Sequence, residues 1–580
     1  MWLLCMLACG ADDDRSRTQP GGDTPSATSS VSTSDGDSTG STSVQPHTGD
    51  TGTATEPTVV ETGDTGTPHT GDTGSPSSAR FELVGEPVTC ADPSKRDESP
   101  FETVLLPGPG ALQGFAMQGG GLVVADLDGD PELEIVRLTE SSVHLFDLSP
   151  DGRWEEHSER LPVLPAQGWM GASAADIDGD DDLDLILGGF DAPKALLRNQ
   201  GDGTFVDISA GSGLQLVSLR NSAMAWADWN LDGVLDLAVA NYGLGPVGPE
   251  NAQRCELYIG NGDGTFTDVS EDLPETVHAG YTFHFGFFDL DEDQRPDLLA
   301  VQDYPWLQQS VLVNNTTEGW VAVEGSGFAA GIDAMGMAAA DQNGDGMPDF
   351  AISSIGEFGY YESLRTPSEP MGLVYLERAL ELGLDPEERQ FGWGTDFGDV
   401  DNDGDEDLYM AFGDWVPITI PSAILDYYPD ALWINDGEDV WTDRGVELGV
   451  GLTLTARGSA MTDIDGDGWL DIVVANMEGP TAVHRSRCGD AAWLTLELHD
   501  ETTPNTRGVG AVVDVYVGET QHRRWLHAGS TSLFTGQQPR VHVGLGDADL
   551  VDRVEVTWPD GELTSLSNVA SRQRYTLHRR

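Results

Sequence analysis

Short apolar runs alternate with acidic turns along most of this chain. A small or apolar run such as GLVVAD (121–126) or GMAAAD (336–341) leads into an acidic nonapeptide, and a β-prone run such as DLILGG (184–189) or DIVVAN (471–476) follows it. Runs of this length between turn residues are typical of buried strands. Each acidic nonapeptide is therefore predicted to be a turn between two strands. The small residues of these strands fit a position close to a crowded central axis of the fold.

The acidic nonapeptide occurs seven times, and successive copies begin 50 to 64 residues apart. We call the copies loops 1 to 7; they begin at Asp126, Asp176, Asp228, Asp289, Asp341, Asp399 and Asp463. Their spacing is close to the ~40–50 residues of a propeller blade, lengthened by insertions. The repeat therefore predicts an all-β protein with a β-propeller at its centre.

The order of oxygen-bearing residues within each loop fits a hard cation. Ca²⁺ takes about 6–8 oxygen ligands in flexible geometry. Carboxylates at positions 1, 3 and 5 of a tight loop can converge on one point, the backbone carbonyl of position 7 adds a ligand, and the acid at position 9 completes the shell. Strands rather than helices flank these loops, which argues against an EF-hand. We expect up to seven Ca²⁺ ions, one for each loop.

The expected ligands follow directly from this numbering. The side-chain ligands at positions 1, 3, 5 and 9 are Asp126, Asp128, Asp130 and Glu134; Asp176, Asp178, Asp180 and Asp184; Asp228, Asn230, Asp232 and Asp236; Asp289, Asp291, Asp293 and Asp297; Asp341, Asn343, Asp345 and Asp349; Asp399, Asp401, Asp403 and Asp407; Asp463, Asp465, Asp467 and Asp471. The backbone carbonyls at position 7 are those of Glu132, Asp182, Val234, Arg295, Met347, Asp405 and Trp469.

The seven loops are not expected to be equal. Loops 1, 2, 5 and 7 have Gly at position 4, where a left-handed backbone is needed. Loop 4 carries Glu292 and Gln294 at positions 4 and 6, so it is expected to be the weakest site. Solvated acidic turns of a halophile-like surface are the alternative, but they do not explain the ordered 1-3-5-9 spacing.

Charge excludes one class of function. The chain carries 29 Lys and Arg against 99 Asp and Glu, which gives a net charge of −70. A polyanion of this size repels nucleic acid, so nucleic-acid binding is excluded. Four carboxylates crowded into one loop repel one another as well, which a bound cation would relieve.

The first residues, MWLLCMLACG, resemble a bacterial lipobox, in which Cys9 is lipidated and the preceding peptide is removed. Residues 1–9 are therefore expected to be a lipoprotein signal with its lipidation site. Residues 10–81, rich in Thr, Ser, Gly and Asp, have too few apolar side chains to fold and are expected to form a disordered tether. The resulting expectation is an exported protein, anchored by lipid at the bacterial outer membrane or cell surface.

Two stretches, LLRNQGDGTFVDIS (196–209) and LYIGNGDGTFTDVS (257–270), give the repeat a specific resemblance. With the acidic loops, they resemble FG-GAP/VCBS repeats of integrin α-chains and bacterial surface proteins. The resemblance implies Ca²⁺ binding through positions 1, 3, 5, 7 and 9 and a seven-bladed propeller. We assign residues 82–487 to this domain.

The remaining residues, 488–580, are predicted to form a small β-sandwich-like domain of short alternating strands. Its features RGVGA (507–511), AGSTS (528–532), GLGDAD (544–549) and WPDGE (558–562) resemble the ASPIC/UnbV domain. That domain follows FG-GAP repeats in the cartilage acidic protein family. The resemblance implies an architecture more than a mechanism.

The chain carries no G-x-S-x-G elbow, P-loop, H-E-x-x-H or C-x-x-C motif. We therefore expect a monomeric binding or adhesion module for an extracellular protein or glycan. Two alternatives stay open: a carbohydrate-active or other extracellular enzyme with a pocket on one propeller face, and a purely structural envelope protein.

Three cysteines remain if Cys5 is removed with the signal. Cys90 and Cys488 lie just before and just after the propeller, whose sequence ends must meet when the ring closes. We expect these two to form a disulfide, and Cys255, in a central blade, to stay free.

Overall fold

A computed structural model describes the chain over most of its folded part. The described residues are 58–59, 81–86, 100–108, 119–149, 152–165, 167–243, 246–329, 331–364, 374–384, 391–413, 428–437, 440–477, 479–529 and 532–580. The lipidation site Cys9 and nearly all of the expected tether lie outside them, as does Cys90.

Three strands precede the first four-stranded unit of the propeller: β1 (Thr58–Val59), β2 (Phe81–Glu86) and β3 (Phe101–Leu106). Units 1 to 3 then comprise β4 (Leu122–Ala125), β5 (Glu134–Leu138), β6 (Val143–Leu148) and β7 (Trp154–Glu156); β8 (Gly168–Ala175), β9 (Asp184–Ala192), β10 (Ala195–Asn199) and β11 (Phe205–Asp207); β12 (Leu219–Ala227), β13 (Asp236–Asn241), β14 (Glu256–Gly260) and β15 (Phe266–Asp268).

Units 4 to 7 continue the same antiparallel order. They comprise β16 (Tyr281–Phe288), β17 (Asp297–Asp303), β18 (Val311–Thr316) and β19 (Gly319–Ala322); β20 (Ala334–Ala340), β21 (Asp349–Ser354), β22 (Gly359–Ser363) and β23 (Tyr375–Glu377); β24 (Gly392–Gly398), β25 (Asp407–Phe412), β26 (Ala431–Ile434) and β27 (Thr442–Asp443); β28 (Ala456–Thr462), β29 (Asp471–Asn476) and β30 (Thr481–Ser486), completed by β3.

The helices of the described residues are short and lie between units, apart from the 3₁₀ turn Pro249–Asn251 inside unit 3. They are α1 (Glu275–His278), α2 (Ala379–Leu382) and α3 (Gly445–Leu448), with 3₁₀ turns at Ser158–Arg160, Pro249–Asn251 and Ser270–Asp272. Among the described residues, none of the helices is both long and apolar enough to cross a membrane.

The units close on one another because apolar clusters fill the space between neighbours. Leu127 and Leu138 of unit 1 share a cluster with Leu185 of unit 2. At the other end of the repeat, Ile135 of unit 1 packs with Val473 of unit 7. Strand β3 pairs antiparallel with β30, so a strand from the start of the repeat completes its last unit. The expected all-β propeller fold is confirmed.

The C-terminal domain is a sandwich of two sheets. Its strands are β31 (Ala492–Asp500), β32 (Val512–Val517), β33 (Thr520–Trp525), β34 (Thr535–Gln537), β35 (Val541–Gly546), β36 (Leu550–Thr557), β37 (Leu563–Ala570) and β38 (Gln573–Arg579). One sheet has the order β2-β38-β31-β35 and the other β1-β37-β36-β32-β33. Between them lies a separate apolar core that contains Leu496, Val513 and Trp558.

Two early strands differ from the boundaries expected from the sequence. Strand β2 pairs with β38, so residues 81–86 belong to the C-terminal sandwich and not to a propeller that begins at residue 82. Strand β1, inside the segment expected to be disordered, pairs with β37. Alternating apolar residues in FELVGE fit either domain, and only the long-range pairing decides between them.

One segment of the C-terminal domain enters the centre of the propeller. We call residues 527–529 and 532–538 the axial segment. The backbone carbonyl of Phe534 accepts hydrogen bonds from the N–H groups of Leu122 and Ala172, at 3.3 and 3.1 Å. The Ser532 hydroxyl accepts one from the Thr395 N–H at 2.9 Å. Strand β34 pairs parallel with β4. The axial segment thus contacts the innermost strands of units 1, 2 and 6.

Candidate metal centres

The structure places each acidic loop in the turn between the first and second strands of its unit. Loop 2, for example, joins β8 to β9. Because successive units repeat this connection, all seven loops lie at the same end of the propeller. The described residues include every side chain expected to bind a cation.

Positions 1, 3 and 9 come together within individual loops. In loops 1, 2, 4 and 6, one oxygen from each of the three carboxylates lies within 4.8 Å of the other two. These groups are Asp126, Asp128 and Glu134; Asp176, Asp178 and Asp184; Asp289, Asp291 and Asp297; Asp399, Asp401 and Asp407. Three carboxylates at this separation form a compact oxygen cluster of the kind that Ca²⁺ binds.

Position 1 is held by the loop's own backbone. In loop 2, Asp176 Oδ1 accepts from the N–H groups of Gly179 and Asp180 at 2.8 and 3.2 Å, and Oδ2 accepts from Asp181 at 2.9 Å. Asp463 receives equivalent bonds from the N–H groups of positions 5 and 6 of loop 7. The carboxylate is therefore oriented before any cation arrives.

Positions 5 and 9 are held in a similar way. The carboxylate of position 5 accepts the N–H of position 7, as between Asp345 and Met347 at 2.9 Å. Position 9 bridges two strands: Asp184 accepts the N–H of Ile177 at 3.1 Å and that of Asn199, on the third strand, at 2.8 Å. The roles of the position 7 carbonyls stay predictions.

The left-handed backbone expected at position 4 occurs in all seven loops, whichever residue occupies it. Gly179 has φ = 75°, and Leu231, Glu292 and Asn402 adopt φ values of 61°, 60° and 61°. Position 6 is also left-handed in loops 2 to 7. Loop 1 differs because it has Pro131 there, whose ring holds φ near −65°. In loop 1, Asp126 accepts from Gly129.

Burial shapes the electrostatics of the position 9 carboxylates. Loss of hydration, reinforced by neighbouring carboxylates, raises the pKa of Asp184 and Asp236 to about 8 and that of Glu134 to about 9. The pKa of Asp297 and of Asp349 rises to about 7 for the same reason. The groups with a pKa of about 8 or 9 are largely protonated at neutral pH unless a positive charge comes close.

Several buried oxygens within the loops have no hydrogen-bond partner among the described residues. They are Asp128 Oδ1, Asp178 Oδ1, Asp236 Oδ2, Asp341 Oδ1 and Asp465 Oδ1. A buried carboxylate oxygen without a partner is costly. A hard cation would satisfy all of them, so the residues present fit Ca²⁺.

The carboxylate of position 3 contacts a side chain from the third strand of its unit or, in unit 1, from the 3₁₀ turn after the fourth strand. Arg160 lies 2.8 Å from Asp128, and Arg198 lies 3.6 Å from Asp178. Asn314 donates to Asp291 at 2.6 Å, and Arg485 forms an ion pair with Asp465. Each leaves one oxygen of the carboxylate available to the loop.

The C-terminal domain covers the face of the propeller that carries the loops. Arg574 donates to the carbonyl of Pro131 in loop 1 at 3.1 Å, and the Asn505 N–H donates to the carbonyl of Gly233 in loop 3 at 3.0 Å. Arg523 donates to Gly346 in loop 5 at 2.8 Å.

Further contacts reach three more loops. The Gly546 N–H donates to Asn402 in loop 6 at 2.8 Å, and Arg540 donates to Asp463 in loop 7 at 3.0 Å. In loop 2, the Thr506 hydroxyl donates to Asp176 at 2.5 Å. Six loops thus share a polar interface with the second domain.

Sequence reasoning missed a set of asparagines that link neighbouring units. Asn199 of unit 2 donates to the carbonyl of Leu127 in loop 1 at 2.8 Å, and Asn315 of unit 4 donates to that of Trp229 in loop 3 at 2.8 Å. Each follows an apolar third strand, in ALLRN and VLVNN. The recurrence of asparagine at the end of this strand is visible in the sequence. The carbonyl that accepts its hydrogen bond is not, because that carbonyl belongs to another repeat.

The cysteines can be followed in part. Cys255 is buried and forms no disulfide, and Cys488 is disulfide-bonded. The expected partner, Cys90, lies outside the described residues. The pairing of Cys90 with Cys488 stays a prediction.

Comparison with known families identifies both parts of the chain. The family described as FG-GAP-like repeat matches residues 126–187, 182–239 and 289–352. The family described as ASPIC and UnbV matches residues 501–580. These matches include loops 1 to 5 and the C-terminal sandwich from the end of β31 onwards.

Curated relatives are similar over part of their length. The chain is 38% identical over 123 residues to cartilage acidic protein 1 of Homo sapiens, which is 20% of this chain and 17% of that protein. It is 38% identical over 125 residues to the Mus musculus protein, 20% of this chain and 18% of that one. The chain thus spans less than a fifth of the length of these relatives.

Solved structures are similar more distantly. An Agrocybe aegerita lectin that recognises non-reducing terminal N-acetylglucosamine has a TM-score of 0.40 at 16% identity, over 63% of this chain and 93% of that one. BBS1N in complex with ARL6DN has a TM-score of 0.40 at 9% identity, over 67% of this chain and 97% of that one.

Proposed function

We propose that this chain, which carries FG-GAP-like repeats ahead of a C-terminal ASPIC and UnbV domain, is a Ca²⁺-stabilised binding protein that acts outside the cell. The observation that carries the proposal is the convergence of the position 1, 3 and 9 carboxylates in individual loops. Their partnerless buried oxygens support a bound cation. Ca²⁺ fits better than a transition metal because the donors are oxygens.

In this proposal the cations are structural. The C-terminal domain covers the loops through contacts such as Arg523 to Gly346 and Arg540 to Asp463. A large ligand therefore does not bind at the loops themselves. Ca²⁺ holds the loops in the shape that the second domain recognises.

The opposite face of the propeller is the proposed binding face for an extracellular protein or glycan. It carries the connections between second and third strands, among them the one that joins β17 to β18. Trp306 in this connection is 70% exposed, and its ring lies 4.9 Å from that of Tyr304. Exposed aromatic rings are common anchors at protein interfaces.

Calcium binding is tested by calorimetry of the full chain with Ca²⁺ and with EDTA. We expect several bound Ca²⁺ and a lower melting temperature in EDTA, since ligand at a hundredfold its Kd adds ~2.7 kcal/mol per independent site. An unchanged melting temperature after chelation would contradict the proposal.

The binding face is tested by a screen of glycans and extracellular proteins, run with Ca²⁺. A ligand found in this way should bind Trp306→Ala at least ~10-fold more weakly. Leu105→Ala is the control, because Leu105 is also exposed (55%) but lies on the outer strand β3. Equal losses for the two variants would remove the face from the proposal.

The anchor is a separate part of the proposal. Lipidation of Cys9 would hold the protein at the outer membrane or cell surface, with the tether as a spacer. Expression in a bacterial host with labelled fatty acid should label the chain but not its Cys9→Ser variant. Label in both, or in neither, would refute the anchor.

A further inference from the structure

A cluster of two imidazoles and a carboxylate lies on the C-terminal sandwich, beside loop 2 but with none of the ligands expected for that loop. His499 in β31 and His578 in β38 are paired in register on adjacent parallel strands. Glu501 follows His499 by two residues and lies just beyond the end of β31. Its N–H donates to the carbonyl of Arg579 at 2.9 Å, which fixes this position beside β38.

The donor atoms of this cluster already converge. One donor atom from each of His499, Glu501 and His578 lies within 4.8 Å of the other two. The centroids of the imidazole rings are 4.8 Å apart, and His499 Nε2 lies 4.0 Å from Glu501 Oε1. His578 Nδ1 is buried and has no hydrogen-bond partner among the described residues.

We propose that His499, His578 and Glu501 form a binding site for Zn²⁺. Zn²⁺ binds imidazole nitrogen and carboxylate oxygen, and two histidines with one glutamate are an established ligand set that leaves a further position open. These nitrogen donors distinguish the cluster from the all-oxygen loops, which suit Ca²⁺. The site requires the three donors to approach one another further when the cation enters.

The contact made by the other ring nitrogen of His499, Nδ1, supports this assignment. Its Nδ1 lies 3.1 Å from Asp181 Oδ2, so Asp181 orients the ring and leaves Nε2 turned towards Glu501. Histidines that bind metals usually donate their other ring nitrogen to a carboxylate in this way. Asp181 occupies position 6 of loop 2, and it also pairs with Arg507 at 3.0 Å.

The surrounding charges leave room for a dication. Arg580 lies 2.8 Å from Glu501 Oε1, and it also pairs with Glu82 at 3.0 Å. Glu82 of β2 is directly opposite His578 in the sheet. The carboxylates of Glu82, Asp181 and Glu501 thus outnumber the guanidinium groups of Arg507 and Arg580. Glu82 can therefore neutralise Arg580 when Glu501 turns to the cation.

The proposal is tested with Zn²⁺ added to the full chain in saturating Ca²⁺, so that the acidic loops are already filled. Calorimetry should then show one Zn²⁺ site that Ca²⁺ does not displace. Co²⁺ at the same site should give the intense visible absorption of a four-coordinate site with nitrogen ligands. The weak absorption of six-coordinate, all-oxygen Co²⁺, or no binding, would overturn the proposal without any variant.

Variants assign the ligands. His499→Ala and His578→Ala should each weaken Zn²⁺ binding ~100-fold or more, and Asp181→Asn ~10-fold, as expected for a residue that orients a ligand. The matched control is His157→Ala, since His157 also lies near two carboxylates, those of Glu155 and Glu159, but is not a residue of the proposed site. Zn²⁺ binding that is unchanged in both His499→Ala and His578→Ala, with far-UV circular dichroism preserved, would refute the site.

Discussion

Backbone conformation at single residues explains why loops of different sequence share one shape. Leu231 at position 4 of loop 3 has φ = 61°, where loop 5 has Gly344 at φ = 68°. A side chain costs about 1–2 kcal/mol in this region because its Cβ crowds the following carbonyl. Loop 3 adopts the same conformation as loop 5 despite this strain. In both loops the carboxylate of position 1 accepts a hydrogen bond from the N–H of position 6.

Relief of this strain gives the first prediction. Leu231→Gly should raise the free energy of unfolding by about 0.5–1 kcal/mol, the strain removed less the added entropy of the unfolded chain. Gly344→Ala should lower it by about 1 kcal/mol, because a Cβ at Gly344 meets no atom within 4 Å and only the backbone is affected. Urea unfolding in saturating Ca²⁺ measures both. Changes of the same sign would contradict the strain argument.

Two first-position aspartates give a second prediction. Asp176 and Asp289 each accept two or more N–H groups of their own loop, but Asp176 also accepts the Thr506 hydroxyl of the second domain. Asp176→Ala should therefore lower both the melting temperature and the number of bound Ca²⁺ more than Asp289→Ala does. Equal losses would show that loop 4 is as well built as loop 2, despite Glu292 and Gln294.

At the scale of elements, polar side chains fix the spacing of neighbouring units. Asn199 at the end of β10 is 2% exposed and donates to the carbonyls of Leu127 and Leu183, at 2.8 and 3.2 Å. The side-chain oxygen Oδ1 of Asn199 accepts the Gly201 N–H. One amide thus holds loop 1, loop 2 and the third strand of unit 2 together.

Removal of this amide should be costly. Asn199→Ala leaves two buried carbonyls without their donor and should destabilise the chain by ~2 kcal/mol. Asn261 follows the corresponding strand of unit 3 but is itself exposed and bonds to Thr265, so Asn261→Ala should cost less than ~0.5 kcal/mol. Thermal unfolding of the two variants compares them; similar losses would mean that the inter-unit bond contributes little.

The axial segment couples the two domains, and Phe534 is its most buried aromatic residue. Phe534 is 0% exposed and packs with Phe283 at a centroid distance of 6.1 Å. Phe534→Ala should cost ~3–5 kcal/mol, and it should split calorimetric unfolding into two transitions, because each domain has a core of its own. Phe534→Leu keeps most of the volume and should keep one transition. A single transition in Phe534→Ala would contradict this coupling.

The periodicity of the sequence predicts the structure within each repeat, but not the contacts between repeats or between the two domains. The seven nonapeptides gave the strand–loop–strand units and the convergence of positions 1, 3 and 9, because both depend on neighbours within one loop. The loop face covered by the C-terminal domain was not predictable, since Arg523 meets Gly346 across 177 residues. The pairing of His499 with His578 depends in the same way on the register of β31 and β38. Pro131 at position 6 sets loop 1 apart from the other six already in the sequence, because proline holds φ near −65°.

At the scale of the whole molecule, the clustered carboxylates both contribute to a large negative charge and are partly buried. A net charge of −70 opposes compaction. The position 9 carboxylates are buried in the same molecule, which raises their pKa values. Protons and Ca²⁺ are therefore alternative ways to neutralise these groups, so stability should depend on both together.

The last prediction concerns pH. In EDTA, the pKa of Asp184 and of Asp236 is about 8 in the folded chain against 3.8 when unfolded, so the folded state binds more protons between these values. The contribution of these two carboxylates to stability is then fully present below pH 3.8 and is lost as pH rises through about 8. The buried His484 and His527, whose pKa falls from 6.5 to about 4, act in the opposite sense below pH 6.5.

The test is therefore made above pH ~7. The melting temperature in EDTA should fall as pH rises, whereas bound Ca²⁺ keeps the carboxylates ionised and should remove this fall. Calorimetric titration at pH ~7 should also show protons released as Ca²⁺ binds. If the melting temperature changes with pH in the same way in Ca²⁺ and in EDTA, and no protons are released on binding, then protons and Ca²⁺ do not compete for these carboxylates.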